Sequence, residues 1–232
     1  MEPKVMAVVR QLNLFTYICD DTFERFINTG SLQKFSPGTI LIQQDNAVNF
    51  LYILIEGRVE VFSSVNGRET TLDIVEPINF FILAAVLNNE ANLQSARILT
   101  DSLVFMIPAQ QIYHAIENDN FFTRSVIAEL SHSYNRTVSD LKDQKLRTSR
   151  QRLANWLLML NKIQKKGDYV DLPIEKRLLA SYLGMTPENL SRVLSSLSKY
   201  GIKVDGARVI FVNMKEFLRF AKLDSPICGI KP

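Results

Sequence analysis

Apolar residues change their spacing twice along this chain. Val5 to Phe15 and Asp21 to Asn28 are short amphipathic stretches, each predicting a small helix, the second opened by an Asp pair suited to an N-cap. From Leu32 to Ile107 the texture turns to short β-rich runs: Thr39 to Ile42, Phe50 to Ile55, Val59 to Phe62, Thr70 to Val75 and Leu103 to Ile107. Pro37-Gly38, Glu56-Gly57 and Asn66-Gly67 punctuate them as turns, the last a strong two-residue hairpin signal. Many short strands at this spacing predict a sandwich or barrel.

Beyond Pro108 one helical pattern runs from about Phe121 to Arg147. Ile127, Leu130, Tyr134, Thr137, Leu141 and Gln144 alternate spacings of three and four, a seam through which a long helix pairs with a copy of itself. The bland alternative is a helix lying on its own barrel. A further helix follows from Ser149 to Ile163, with Leu153, Trp156, Leu157 and Leu160 on one face.

Residues 172–194 are the most informative segment. A helix ending at Leu183-Gly184, a three-residue turn, then Thr186 as N-cap with Pro187 at the first helical position, describes a helix-turn-helix. Gly184 suits the tight turn and Ala180 lets the two helices approach. Past Gly201, the stretch from Ile202 to Val212 predicts two strands around a hairpin turn, the signature of a wing.

Charge sharpens this division. Residues 1–141 hold 9 Lys/Arg against 16 Asp/Glu, whereas residues 142–232 hold 18 against 8, so a net +3 hides an acidic front and a basic rear. The rear is therefore expected to face a polyanion. With 232 residues, 47% of them hydrophobic, the chain can bury a sizeable core. No apolar run approaches the roughly 20 residues of a membrane span and no signal-peptide pattern opens the chain, so a soluble, cytoplasmic protein without a membrane partner is expected. Cys19 and Cys228, near opposite ends, read as ordinary thiols rather than a disulfide framework, a metal centre or an iron–sulfur site. No phosphate loop, metal-ligand spacing or nucleophile motif points to an enzyme, so no catalytic residue is assigned.

With these residues in view, the chain resembles the Crp/Fnr family of bacterial transcription regulators over nearly its whole length. Lys34 to Ile42 and Leu51 to Val61 carry the barrel pattern; Leu179-Ala180, Leu183 to Glu188, Ser191 to Leu194 and Leu197 carry the helix-turn-helix pattern. The resemblance implies an α+β chain: a jelly-roll sensor barrel with N-terminal helices over residues 1–119, a dimerisation helix over 120–147, and a winged helix-turn-helix over 148–232. The dimer contacts would be Ile127, Leu130, Tyr134, Thr137 and Leu141. The second helix of such a motif enters the major groove, so Glu188, Ser191 and Arg192 are the expected base contacts, Glu accepting from cytosine and Arg gripping guanine. An exposed Glu188–Arg192 ion pair is the bland alternative. The Glu-x-x-Ser-Arg arrangement is similar to the Fnr branch and implies TTGA-like half-sites in an inverted repeat; Pro187 departs from it and removes one polar contact. Thr148, Arg150, Lys176, Thr186, Asn189, Ser195, Lys199 and Arg208 are expected on DNA phosphates. RNA polymerase is an expected partner if the chain activates transcription.

Family members that bind cyclic nucleotides hold them with a Gly-Glu pair and an Arg-Ser/Thr-Ala run. The corresponding stretch here, from Pro77 to Leu83, lacks both Gly and Glu, and Gln94-Ser95-Ala96 puts glutamine in the arginine's place. Cyclic AMP and GMP are therefore not expected as ligands; Arg97, three residues on, faces the other side of a strand. Phe80, Phe81, Leu83, Gln94 and Ser95 would line an effector pocket or simply pack the core. Haem, held by His114 or His132, is an alternative gas-sensing input, and a redox-active thiol or regulation by abundance are others. A dimeric adaptor that binds no DNA would explain the barrel and helix but not the basic winged motif.

Overall fold

A computed structural model describes residues 3–88 and 91–221. Cys228 and the C-terminal end of the expected third region lie outside the described residues. The chain divides into two compact units, one ending at Ser133 and the other beginning at Tyr134. Among the described residues no helix is long and apolar enough to cross a membrane.

The first unit begins with α1 (Pro3–Arg10) and α2 (Asp20–Thr29). An antiparallel sheet follows, built from β1 (Ser31–Phe35), β2 (Ile40–Ile42), β3 (Phe50–Val65), β4 (Arg68–Val75), β5 (Asn79–Phe81) and β6 (Ser95–Pro108). The two long strands β3 and β6 pair with each other, and each also pairs with shorter strands, closing a core around Leu51, Ile53, Leu54, Ile98, Val104 and Ile107. The sequence predicts a turn at Glu56-Gly57, but there the chain runs on as one strand. The β3–β6 register slips between Leu54 and Val59, and Gly57 sits at φ +95°. A bulge bends the strand without ending it, and only glycine suits it, because a Cβ would collide with the Ser102 side chain and the Asp101 carbonyl. Asn66-Gly67 does form the predicted hairpin, both residues at positive φ.

The short helix α3 (Leu83–Asn88) precedes β6, and α4 (Ala109–Asn118) follows it. Next comes α5 (Asn120–Leu146), within a residue of its predicted ends. The Asp20-Asp21 pair does not cap α2. The N-cap is Cys19, whose amide donates to Oδ2 of the buried Asp119, while the Phe121 and Phe122 amides donate to its Oδ1. One carboxylate thus serves two helix starts, and these backbone donors hold Asp119 below the usual carboxylate range against the opposing effect of desolvation. Phe122 is fully buried, packed on Phe15 and Phe26.

The second unit holds the C-terminal part of α5, then α6 (Ser149–Gln164), β7 (Tyr169–Asp171), α7 (Lys176–Tyr182), α8 (Pro187–Leu197), β8 (Ile202–Asp205), β9 (Arg208–Phe211) and α9 (Met214–Ala221). Its core joins Leu153, Leu157, Leu179, Leu190, Leu197, Val209 and Phe217. The predicted two-stranded wing is three-stranded, with β7 along β9.

Candidate nucleic-acid interface

Local chemistry sets the second helix of the motif. Gly184 takes φ +64° and the Met185 amide closes the turn on the Ala180 carbonyl. Thr186 then caps α8, its hydroxyl accepting from the Asn189 amide, with Pro187 at the start of the helix. Buried Leu190, Val193, Leu194 and Leu197 fasten one side of α8, leaving Glu188, Ser191, Arg192 and Ser195 exposed on the other.

At the start of α6, Thr148 and Gln151 form a capping box, each side chain bonding the other's backbone amide. This helix start and α8 form the walls of an open cleft of about 480 Å³, lined by Thr148, Ser149, Arg150, Asn189, Arg192, Val193 and Ser196. Among the described residues no hydrogen bond or ion pair engages the Arg150, Arg192 or Lys199 side chains. The cleft thus combines a helix N-terminus with two exposed guanidinium groups, an arrangement suited to a phosphodiester backbone.

Of the expected site residues, Thr148, Arg150, Asn189 and Arg192 meet in this cleft. Thr186 and Thr148 also serve as caps. The Glu188 carboxylate is drawn back to its own amide and the Thr186 hydroxyl, which with nearby Arg192 hold it below the usual range. The Ser191 and Ser195 hydroxyls donate to the Pro187 and Ser191 carbonyls. Lys176 is exposed at the start of α7 and Lys199 in the turn after α8. Arg208 stands apart: on the wing it forms an ion pair with Asp171 (Nε–Oδ1 2.7 Å), which Lys166 also contacts, and it stacks over the Tyr169 ring. Ser149 and Ser196 also line the cleft, and as isolated serines they carry no signal in the sequence. Arg152 carries no sequence signal because two of its three partners, the Leu183 and Gly184 carbonyls, lie more than thirty residues away.

On α5 the exposed large apolar side chains are Phe121 and Leu146 near its two ends and Ile127, Tyr134, Val138 and Leu141 between them. Leu130 leans on the core of the first unit, and Thr137 lies to one side of this stripe. Between its ends the exposed apolar stripe of α5 therefore runs through Ile127, Tyr134, Val138 and Leu141, with Leu130 turned toward the core and Thr137 beside Val138.

In the first unit, Phe81 stacks on Tyr52, Leu83 is buried, Phe80 packs half-buried, and the buried Ser95 hydroxyl accepts from the Gln44 amide. Gln94 is half-buried and its carbonyl accepts from the Asn92 side chain. Arg97 bonds Glu69 at 2.6 Å and lies over the Phe62 ring, with Glu60 at 3.6 Å. His114 and His132 are exposed, and the Arg25 guanidinium meets the His114 ring. Local desolvation and the Asp119, Asp21 and Asp20 carboxylates raise the pKa of Cys19, so its thiol stays protonated near neutrality.

The family model described as a cyclic nucleotide-binding domain matches residues 32–119, and that of a Crp-like helix-turn-helix domain matches residues 151–220. No curated protein matches the chain. Among solved structures, the chain is similar to a regulatory protein of Silicibacter pomeroyi DSS-3 that is suggested to bind cAMP. The two are 25% identical, with a TM-score of 0.61, over 94% of this chain and 98% of that one. FixK2 from Bradyrhizobium japonicum shares 18% identity at a TM-score of 0.73, covering 86% and 99%. A suggested transcription regulator of the Crp/Fnr family from Eubacterium rectale ATCC 33656 shares 16% at 0.71, covering 90% and 97%.

Proposed function

We propose that this chain, which belongs to the Crp/Fnr family of transcription regulators, works in the cytoplasm as a homodimer that reads an inverted repeat in duplex DNA. The observation that carries this reading is the cleft between the α6 start and α8, which the exposed Arg150 and Arg192 both line. Arg192 grips a guanine of a TTGA-like half-site, Ser191 touches a neighbouring thymine, and Thr148, Arg150 and Asn189 hold the backbone. Glu188 accepts from a cytosine amine once it leaves its capping position. Lys176, Ser195 and Lys199 add phosphate contacts, and Arg208 supports the wing through Asp171. The exposed α5 stripe pairs with its two-fold copy, which sets the two reading helices about 34 Å apart, one turn of DNA. RNA polymerase is the further partner where the bound dimer activates.

The barrel takes a signal other than a cyclic nucleotide. The absence of an arginine at Gln94, and the engagement of Arg97 with Glu69 and Phe62, support this. His114 and His132 are exposed and the Arg25 guanidinium meets the former, surroundings unlike an apolar haem-ligating site, which supports an input other than haem. The raised pKa of Cys19 argues against a thiolate switch there.

Fluorescence anisotropy on a labelled duplex tests the reading. Two chains should bind an inverted repeat of TTGA half-sites about one helical turn apart, with affinity falling steeply with salt. Equal, salt-insensitive affinity for an unrelated duplex would leave a dimeric adaptor as the account.

A further inference from the structure

Arg152 lies in the first turns of α6, half-buried, and is not among the residues that line the cleft. Its guanidinium donates from Nη1 to the Arg147 carbonyl (2.9 Å), from Nε to the Leu183 carbonyl (3.1 Å) and from Nη2 to the Gly184 carbonyl (3.4 Å). The first acceptor is the residue that follows α5 and precedes the α6 cap. The other two close α7 and form the turn into α8. Helix C-termini leave carbonyls without intrahelical partners, and a cation suits them electrostatically. A rigid planar fork can hold several at fixed angles, which an ammonium cannot.

The same corner is fastened from its other side. The Arg147 side chain pairs with Asp143 one turn back on α5 (2.6 Å). The buried Asn155 amide, oriented to satisfy its neighbours, accepts from Arg147 Nη1 (2.8 Å) and donates to the Ala221 carbonyl of α9 (3.3 Å). The end of α5, the start of α6, the helix-turn-helix turn and α9 thus share one polar network, with Arg152 as its only described member that reaches the turn.

We propose that Arg152 is a positioning residue for DNA recognition, a strap that fixes the distance between the α5–α6 corner and the first turn of the reading helix. The inference rests on the DNA-binding reading above. Thr148, Ser149 and Arg150 follow one strap anchor, and Asn189 and Arg192 follow the other, so the strap sets the spacing of the two cleft walls. Arg152 itself touches no DNA, because its donors are committed inside the domain. It also ties the end of the dimerisation helix to the reading head, so a displacement of α5 at Arg147 reaches α8 through one side chain.

The test uses the full chain with Arg152→Gln and Arg152→Lys. The single Trp156, on the same helix, reports the fold of the second unit through its emission. Arg152→Gln should keep the wild-type Trp156 emission and dimer mass, yet bind the inverted repeat about tenfold or more weakly, the scale of losing charged hydrogen bonds. Its salt slope should match the wild type, since no phosphate contact is removed; a direct contact would lower the slope by about one. Amide exchange should accelerate at both anchors, at Met185 in the turn and at Arg152 itself in the corner, whose amide bonds the Thr148 carbonyl. Arg152→Lys, keeping the charge without the fork, should fold as the wild type and recover only part of the affinity.

Wild-type affinity in either variant overturns the strap, as does a slope lowered by one or an acceleration confined to Met185. If Arg152→Gln loses the native Trp156 emission, the lysine variant decides by the same criteria. If the wild type itself shows no duplex preference, the DNA reading fails while exchange at the two anchors still tests the strap.

Discussion

Replacing Tyr134 by Asp probes the α5 seam at its most exposed aromatic. Ile127, Tyr134, Val138 and Leu141 are 59, 70, 38 and 50% exposed. Fully burying such a side chain is worth about 1.5–3 kcal/mol, so covering the remaining half contributes about 1 kcal/mol each. Two-fold symmetry places every substitution twice in the interface. Tyr134→Asp removes about 1 kcal/mol of burial per copy and sets two carboxylates into a seam that offers them no partner, adding at least about 1 kcal/mol per copy. The sum, about 4 kcal/mol, raises the dimer dissociation constant by about a thousandfold. Sedimentation velocity across about 1–50 µM should therefore show monomer where the wild type is dimeric. Thr137→Asp, off the exposed stripe, should weaken the dimer by less than about tenfold, within the 0–1 kcal/mol range of a surface charge change. A Tyr134→Asp protein still dimeric at about 1 µM, or equal effects at Tyr134 and Thr137, would refute the assigned seam and its phase.

Three further outcomes follow from the packing. Gly57→Ala should lower stability by more than about 1 kcal/mol in thermal or urea unfolding, since alanine must take a positive φ against Ser102 and Asp101; unchanged stability would remove the bulge from the account. Asp119→Ala should lower stability by about 1–4 kcal/mol because two helix starts lose their acceptor, with Asp119→Asn milder; equal losses in the two variants would count against a shared cap. Asp171 is held at about 2 by hydrogen bonds from Arg208 and Lys166, below its ordinary 3.8. A lowered folded pKa contributes stability above the unfolded value that is lost as pH falls through the folded one. The difference in melting temperature between wild type and Asp171→Asn should hold steady above about pH 5 and close between about pH 4 and 2; a flat difference across that window would refute the ion cluster.

Where the sequence was legible, the determining chemistry is local. Asn66-Gly67 can take two positive φ values, and Thr186-Pro187 carries its own cap and helix start, so the hairpin and the reading helix could be placed from a few residues. Misreadings arise where a partner far along the chain decides. Glu56-Gly57 suits a turn or a bulge equally well, and it is pairing with β6, more than forty positions away, that keeps the strand going. Asp20 and Asp21 look like caps, yet Asp119, 100 positions from Cys19, takes that role. Helical spacing puts Leu130 and Thr137 on the expected α5 seam, but spacing alone carries no sign that Leu130 packs on the first unit's core or that Val138 is an exposed apolar residue beside Thr137. Arg208 resembles any surface cation until β7 brings Asp171 alongside it. Arg152 is one arginine among many until the turn 31 residues ahead meets it.

The central claim is that Arg192 reads a base while other cations hold the backbone. The direct measurement is binding of wild type, Arg192→Ala and Lys199→Ala to the inverted repeat and to a version with each half-site guanine replaced, at two salt concentrations. Arg192→Ala should lose about 1–3 kcal/mol per half-site on the natural repeat and bind both duplexes alike. Lys199→Ala should keep the guanine preference, weaken binding to both duplexes equally and reduce the salt slope by about one per chain. An Arg192→Ala protein that retains full preference for the guanine would contradict the account.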